Sequence, residues 1–393
     1  MFAQRTNWNL SQNKLSSALA GTLASGATVL DLTASNPTTV GLDYPEEDIL
    51  KALAQPNSLV YEPAPQGMKV AREAVASYYA DIGFLIARED VVLTVSTSEA
   101  YSYVFRLLCD PGDEVLVPAP SYPLFEFLAE LQDVRLVPYE LVYDHGWQIE
   151  FESLRKGISR RTRAIMVVHP NNPTGHYCKQ WEMDVLNAIC QHHELAIVAD
   201  EVFLDYSLDG ASRPTFAANR GALTFTLSGI SKISGLPQMK AAWIVVSGPE
   251  ALAREADARL EVIADTYLSP NAPIQWALQT LLESRNAIQR QLSTRIVDNL
   301  RALDQMLDAQ TNCKRLAVEG GWYVVLRVPV TRSDEELAIE LLTSKHVMVH
   351  PGHFYNFPGE GHLVLSLITP PGEFREGVVR VLELVSEPKQ VVY

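Results

Sequence analysis

Short, continuous apolar runs alternate with helical periodicity between about residues 46 and 285. Most runs are aliphatic or β-branched throughout, which is typical of strands buried on both faces of a sheet. The pattern predicts strands at 91–95, 114–117, 134–138, 164–168, 195–199, 223–227 and 241–246. One intervening helix, at 179–192, places Trp181, Val185, Leu186 and Ile189 on one stripe. This alternation predicts a large α/β domain with a doubly wound, mostly parallel sheet.

The pattern changes after residue 249, where long helical stretches run to about 307 with a break near 269–270. A smaller α/β unit follows, with strands in WYVVLRV and HLVLSLI. Ser333 and Glu336 form a capping box at the start of the helix that connects the two strands. A last helix is predicted at 372–386. We therefore expect an N-terminal arm (1–45) packing on the small domain, a large domain (46–285) and a small C-terminal domain (286–393).

Composition narrows the classes of protein that the chain can belong to. The 393 residues exceed one ordinary domain, and 32 Lys and Arg against 47 Asp and Glu give a net charge of −15. That charge disfavours binding to nucleic acid or to an anionic membrane. No apolar run resembles a signal peptide or a membrane span. Four cysteines without a CxxC pair predict reduced thiols and a cytoplasmic location.

Polar clusters follow four of the predicted strands, at the sheet edge where ligands bind in open α/β folds. They are Ser96-Thr97-Ser98, HPNNPTG at 169–175, Asp200-Glu201, and SGISK ending at Lys232. Each cluster alone has an ordinary explanation as a helix cap, a turn or a solvated lysine.

Together the four clusters fit pyridoxal phosphate. Hydroxyls at a helix N-terminus suit a phosphate, and an acid can hold a pyridine nitrogen protonated. An asparagine can donate to a phenolate oxygen, and a lysine with a lowered pKa can form a Schiff base.

The chain resembles the class I/II aminotransferases, pyridoxal-phosphate enzymes with the aspartate-aminotransferase fold (fold type I). The resemblance covers nearly the whole chain and rests on ordered motifs. These are SNPT at 35–38, Tyr61 with Gly67 and Arg72, TVSTSEA at 94–100, DPGDEVLVPAPSYP at 110–123, NNPTG at 171–175, DE at 200–201, SK at 231–232 and PG at 351–352.

The resemblance implies a role for each matching residue. Lys232 would form the Schiff base and shuttle the proton, Asp200 would pair with the pyridine nitrogen, and Asn172 would bond the phenolic oxygen. Tyr122 would stack on the ring, and Asn36 would face the substrate carboxylate. The phosphate would be held by Ser96, Thr97, Ser98 and Lys240, and by Tyr61 of a partner subunit, which implies a homodimer with shared sites.

Four residues depart from the family pattern. Ser96 stands where Gly is usual, Phe203 where a Tyr bonds the phenolic oxygen, and Lys240 where an Arg grips phosphate. Val364 stands where an Arg clamps the substrate carboxylate, and no Arg occurs between Gly361 and Pro371. Arg5, Arg327 and Arg375 are candidates to replace it, and the sequence does not rank them.

We therefore expect an aminotransferase acting on an amino acid, or another amine, and a 2-oxo acid. Elimination, decarboxylation or racemisation on the same fold remains open, because the cofactor supplies the carbanion chemistry in all of them. A non-catalytic regulator is disfavoured by the acidic charge and by the lack of room for a DNA-binding domain. His176, Cys178, Cys190 and His193 fit ordinary structural positions, so no metal is expected. His350 and His353 flank a loop that resembles the family's active-site loop.

Overall fold

The computed structural model describes residues 1–123 and 125–386. Its strands are β1 (Leu30–Asp31), β2 (Val91–Thr94), β3 (Glu114–Ala119), β4 (Arg135–Tyr143), β5 (Trp147–Ile149), β6 (Thr162–Val168), β7 (Ala196–Asp200), β8 (Thr224–Gly229), β9 (Ala242–Ser247), β10 (Lys314–Arg315), β11 (Tyr323–Arg327), β12 (Val347–Met348), β13 (His350–Pro351) and β14 (His362–Ser366). Its α-helices are α1 (Lys14–Ala24), α2 (Glu46–Leu53), α3 (Lys69–Asp81), α4 (Thr97–Leu108), α5 (Phe125–Glu130), α6 (Phe151–Gly157), α7 (Gln180–His193), α8 (Ile230–Ile233), α9 (Glu250–Tyr267), α10 (Ala272–Glu283), α11 (Arg285–Asp308), α12 (Asp334–Lys345) and α13 (Pro371–Ser386).

The larger sheet has eight strands in the order β2-β9-β8-β7-β6-β3-β4-β5. Strands β4, β3, β6, β7 and β8 pair in parallel, whereas β9 runs antiparallel to both β8 and β2. The predicted doubly wound, mostly parallel α/β architecture is confirmed. Every residue of β2, β7, β8 and β9 is buried, because helices cover both faces of the sheet.

The predicted apolar stripe of α7 is wrong in one respect. Met183, Leu186 and Ile189 are buried, but the Trp181 side chain is 50% exposed and contacts Phe151 edge-on instead. The buried stripe also carries Glu182, whose carboxylate accepts hydrogen bonds from the backbone amides of Ile149 and Lys179. A purely apolar criterion could not select a buried glutamate, because it is held by capping rather than by hydrophobicity.

A second, smaller sheet has four antiparallel strands in the order β10-β11-β14-β13. Its register places Tyr323 opposite Ser366, and Val364 between Val325 and His350. Ser333 caps α12 in the predicted capping box with Glu336. Strand β1 pairs in parallel with β12, and α1 packs on α12.

The first residues of the chain contact helix α5 and the turn that follows it. Arg5 forms an ion pair with Asp133, and the Trp8 indole contacts Phe127 and donates to Glu130. Over residues 1–123 and 125–386, no helix has the length and apolar character that a membrane crossing requires. The four cysteines are free thiols.

Candidate active site

Lys232 lies in the short helix α8, which follows the carboxyl end of β8. The preceding Gly229 is needed there, because a Cβ at this position would lie 2.8 Å from Cβ of Ala242. The turn between β8 and α8 therefore places Lys232 at the carboxyl end of β8, beside the carboxyl end of β7.

The Lys232 ammonium group sits in a largely aromatic enclosure. Its Nζ lies 3.2 Å from the carbonyl oxygen of Ser35, 4.7 Å from the centre of the Trp322 ring and 5.6 Å from that of Phe203. Burial lowers the pKa of Lys232 to about 8, and the nearby Asp200 carboxylate acts in the opposite direction. A substantial neutral fraction near neutral pH makes this amine a competent nucleophile toward a carbonyl.

Asp200 ends β7 and is buried beside the lysine. Its Oδ2 accepts a hydrogen bond of 2.7 Å from the Tyr101 hydroxyl, and its Oδ1 accepts one of 3.1 Å from the Val202 amide. Burial raises the pKa of Asp200, whereas the two hydrogen bonds and Lys232 lower it. The carboxylate is thus held by few partners and keeps acceptor capacity for a further cationic N–H.

The Ser96-Thr97-Ser98 cluster opens α4, one turn before Tyr101. Ser96 is the helix N-cap, and its Oγ accepts the amide of Glu99 at 3.1 Å, as the simple capping explanation requires. Thr97 and Ser98 remain partly exposed at the helix N-terminus. The N-terminus therefore presents hydroxyls and amide groups suited to an anion.

The segments that carry Asn172 and Tyr122 are joined through the residues before them, because Ser121 Oγ donates a hydrogen bond of 3.1 Å to Oδ1 of Asn171. Asn172 is 8% exposed, and its Oδ1 has no hydrogen-bond partner among the described residues. Tyr122 is 42% exposed, and its pKa is raised by burial and by the charge of Asp200. The unpaired buried amide indicates a place for a polar ligand.

These groups fit pyridoxal phosphate. A lysine amine, a buried carboxylate, the NH2 group of Asn172 and a helix N-terminus are the partners that its aldehyde, ring nitrogen, phenolic oxygen and phosphate need. Described residues contain no group of three or more His, Cys, Asp or Glu that could hold a metal ion.

Three further predicted site residues form no hydrogen bond with these groups in the described part of the chain. Asn36 follows Ser35, but its side chain is occupied by the amide and hydroxyl of Thr38. The Lys240 side chain is exposed, with no hydrogen bond or ion pair to any residue the structure describes. Tyr61 is 78% exposed and lines a surface cavity with Leu268.

Sequence reasoning missed Tyr101, which is the hydrogen-bond donor to Asp200. Its position four residues after Thr97 places both on one face of α4, so helical spacing was the available signal. Tyr323 and Tyr355 were also missed. Tyr323 contacts Phe203, whose ring is 5.6 Å from Lys232 Nζ, and the Tyr355 carbonyl oxygen accepts the Ser121 amide at 2.8 Å. Phe203 and Val364 are both buried, with Val364 1% exposed.

Comparisons with known proteins show the family of the chain. The family model for aminotransferase class I and II matches residues 27–379, and the chain belongs to that family. It is 27% identical over 374 residues to the glutamate-pyruvate aminotransferase AlaA of Haemophilus influenzae, covering 93% of this chain and 92% of that one. It is 30% identical over 364 residues to the alanine aminotransferase of Mycobacterium tuberculosis, covering 88% and 83%.

Solved structures share the whole fold. An aminotransferase from Escherichia coli superposes with a TM-score of 0.86 at 25% identity, covering 100% of this chain and 99% of that one. A Thermus thermophilus aspartate aminotransferase mutant gives a TM-score of 0.84 at 25% identity, covering 98% and 99%. The chain is therefore an aminotransferase of fold type I.

Proposed function

We propose that this chain binds pyridoxal phosphate on Lys232 and moves an amino group between an amino acid and a 2-oxo acid. The observation that carries the proposal is that Lys232 and the buried Asp200 follow neighbouring parallel strands at the carboxyl edge of the sheet, where each charge shifts the pKa of the other. When bound, the cofactor supplies the electron sink for carbanion chemistry.

Each residue around the lysine has a separate role in binding the cofactor or in proton transfer. Lys232 Nζ would move the proton between the substrate Cα and C4′ of the cofactor, in one direction in the first half-reaction and in the reverse direction in the second. Asp200 accepts a hydrogen bond from the pyridine N–H, and the Asn172 amide donates to the phenolic oxygen. Ser96, Thr97 and Ser98 hold the phosphate, with Lys240 as a further cation. Tyr122 covers one face of the ring, and Asn36 lies on the substrate side.

A homodimer belongs to this proposal. Leu59, Val60 and Tyr61 form a consecutive exposed apolar segment, and Leu268 lies beside it across a shared surface cavity. Such a patch is typical of a protein–protein contact, and a second copy would carry Tyr61 toward the partner's phosphate site. The mass in solution by light scattering tests this, and Leu59→Asp is expected to yield monomers with weakened cofactor binding.

We also propose the domain division at 1–45, 46–285 and 286–393, and a cytoplasmic location. The first boundary falls before α2 and the second at the start of α11. Four free cysteines agree with a reducing compartment.

Product analysis tests the reaction. Purified protein loaded with pyridoxal phosphate is mixed with single amino acids and amines, and the visible cofactor band and the products are recorded. Transamination predicts loss of the band with one molecule of oxo product per site, and recovery of the band on adding a 2-oxo acid. Release of ammonia or carbon dioxide over many turnovers without a 2-oxo acid would instead establish a lyase or decarboxylase. Lys232→Ala serves as the inactive control.

A further inference from the structure

One face of the small sheet meets the Lys232 site. Residues directly opposite each other on antiparallel strands point to the same face, so Tyr323 shares a row with Ser366, and Val364 shares the next row with His350. Ser366 Oγ donates to the carbonyl oxygen of Ala34, the residue before the Ser35 that contacts Lys232. The row of Tyr323 and Ser366 therefore contacts the segment that bonds Lys232, and the row of Val364 and His350 is the next one on the same face.

This row presents one accessible polar side chain. Val364 is buried in the sheet, whereas its strand partner His350 is only partly buried. His350 Nδ1 lies 3.0 Å from the Tyr355 hydroxyl, and its Nε2 has no hydrogen-bond partner among the residues that the structure describes. The Tyr355 hydroxyl thus orients the imidazole through Nδ1, and Nε2 is available to a ligand.

Tyr355 and Tyr323 link the face of His350 to the elements around the lysine. The carbonyl oxygen of Tyr355 accepts a hydrogen bond of 2.8 Å from the amide of Ser121, the residue before Tyr122. The Tyr323 ring lies edge-on to Phe203, whose own ring is 5.6 Å from Lys232 Nζ. Tyr323 therefore contacts a ring that borders Lys232, and His350 lies on the same sheet face as Tyr323.

Resting on the proposed function, we propose that His350, oriented by Tyr355, binds a carboxylate group of the amino acid or 2-oxo acid substrate. Protonated imidazole donates from Nε2 and supplies the positive charge, so that carboxylate binding is coupled to the uptake of one proton. Neutral imidazole can donate through only one of its two nitrogens and carries no charge.

None of the three arginines considered from the sequence shares the row of Val364. Arg5 is paired with Asp133, and Arg327 lies on the same face but one row farther from Tyr323 and Ser366, at the exposed end of β11. Arg375 is exposed on α13.

The groups that face His350 from neighbouring elements determine when it is protonated. Asp31 on β1 raises the pKa of His350, and desolvation lowers it by more, so that the net shift is downward. Tyr355 and Tyr323 are neutral phenols there, since burial raises the pKa of both. His362 and Arg327 occupy the next row, and the Asp334 carboxylate of α12 accepts hydrogen bonds from the amides of Gly361 and His362. A bound carboxylate adds the charge that favours the imidazolium.

The test measures binding of propionate to the holoenzyme by calorimetry between about pH 5.5 and 8.5, in buffers that differ in ionisation enthalpy. We expect propionate affinity to fall up to about tenfold per pH unit as His350 deprotonates, with close to one proton taken up per site. Propionamide, the uncharged analogue, is expected to show no such dependence. The cofactor band, recorded in the same titrations, identifies any proton taken up at Lys232.

Variants assign the proton to His350. His350→Gln keeps a donor but removes the titration, so the proton uptake and the pH dependence are expected to disappear while the cofactor band stays. The matched control is His353→Gln, an exposed histidine on the same loop, which is expected to behave as the wild type. Asp31→Asn is expected to move the wild-type profile to lower pH.

The inference is overturned if His350→Gln retains the wild-type proton uptake, if propionate and propionamide behave alike, or if propionate does not bind at any pH. Failure of every amino donor to change the cofactor band would instead overturn the proposed function, so the two failures are distinguishable.

Discussion

Tyr101 Oη donates a hydrogen bond of 2.7 Å to Oδ2 of Asp200, joining the first turns of α4 to the end of β7. This bond stabilises the ionised carboxylate and lowers its pKa against the effect of burial. A charged Asp200 is what a protonated pyridine nitrogen requires. Tyr101 is therefore a positioning residue of the proposed cofactor site.

Replacing Tyr101 by Phe is expected to raise the pKa of Asp200 and weaken cofactor binding about tenfold, the order of one hydrogen bond to a charged group. The loss is expected to grow as the pH falls, because less of the carboxylate stays ionised. Cofactor affinity by fluorescence titration at several pH values checks this. Tyr103→Phe, on the same helix but packed against Tyr267, is the control. Equal losses at all pH values would contradict the electrostatic role.

Asn171 and Asn172 are adjacent in sequence, but we expect substitution of the first to lower stability and substitution of the second to weaken cofactor binding. Asn171 bonds Pro120, Ser121 and Thr174 through its side chain, so Asn171→Ala is expected to lower the stability of the protein without cofactor by about 1–3 kcal/mol. Asn172→Ala is expected to leave that stability nearly unchanged and to weaken cofactor binding about tenfold. Thermal unfolding and cofactor titration of both variants measure the contrast. A destabilised Asn172→Ala with normal cofactor affinity would reverse the assignment.

Much of this architecture was predictable from the sequence, and its limits have physical causes. Continuous aliphatic runs identified β6 to β9 because both faces of these strands are buried. The polar residues that follow the strands identified Asp200 and Lys232, since parallel strands end at one edge. Tyr101, Tyr323 and Tyr355 were not predicted, because their relation to the site depends on the packing of a helix and on the register of a second sheet.

Phe203 carries no hydroxyl where relatives of the family are expected to donate one to the phenolic oxygen. We expect the pKa read from the visible band of the bound cofactor to be higher than in relatives with Tyr, and to fall in Phe203→Tyr, because the added donor favours the deprotonated form. An absorption titration of both proteins measures this. Phe203→Leu is the control that keeps an apolar side chain. An unchanged or raised value in Phe203→Tyr would contradict the expectation.

Glu201, next to Asp200, makes the stability of the fold depend on pH. Burial raises its pKa from an ordinary value of 4.5 to about 8, while Thr215 and the Phe216 amide donate to its carboxyl group. The folded state therefore holds a proton that the unfolded state releases between these pH values. Its stabilising contribution is full below about pH 4.5 and is lost as the pH rises through about 8.

Glu201→Gln removes this titration. We expect the unfolding free energy of the variant to rise relative to that of the wild type as the pH rises. The difference between the two proteins is expected to change by at least about 1 kcal/mol between pH 6 and 9. Urea unfolding at both pH values measures it. A difference that is independent of pH would show that Glu201 does not titrate on folding.

The central claim is that Lys232 carries the cofactor, and borohydride trapping tests it most directly. Reduction of the protein with bound pyridoxal phosphate converts the lysine–cofactor linkage to a stable secondary amine, and peptide mass spectrometry locates it. We expect the modification on Lys232, its loss in Lys232→Ala and its retention in Lys240→Ala. Modification of Lys240 or another lysine, with Lys232 unmodified, would show that Lys232 does not carry the cofactor.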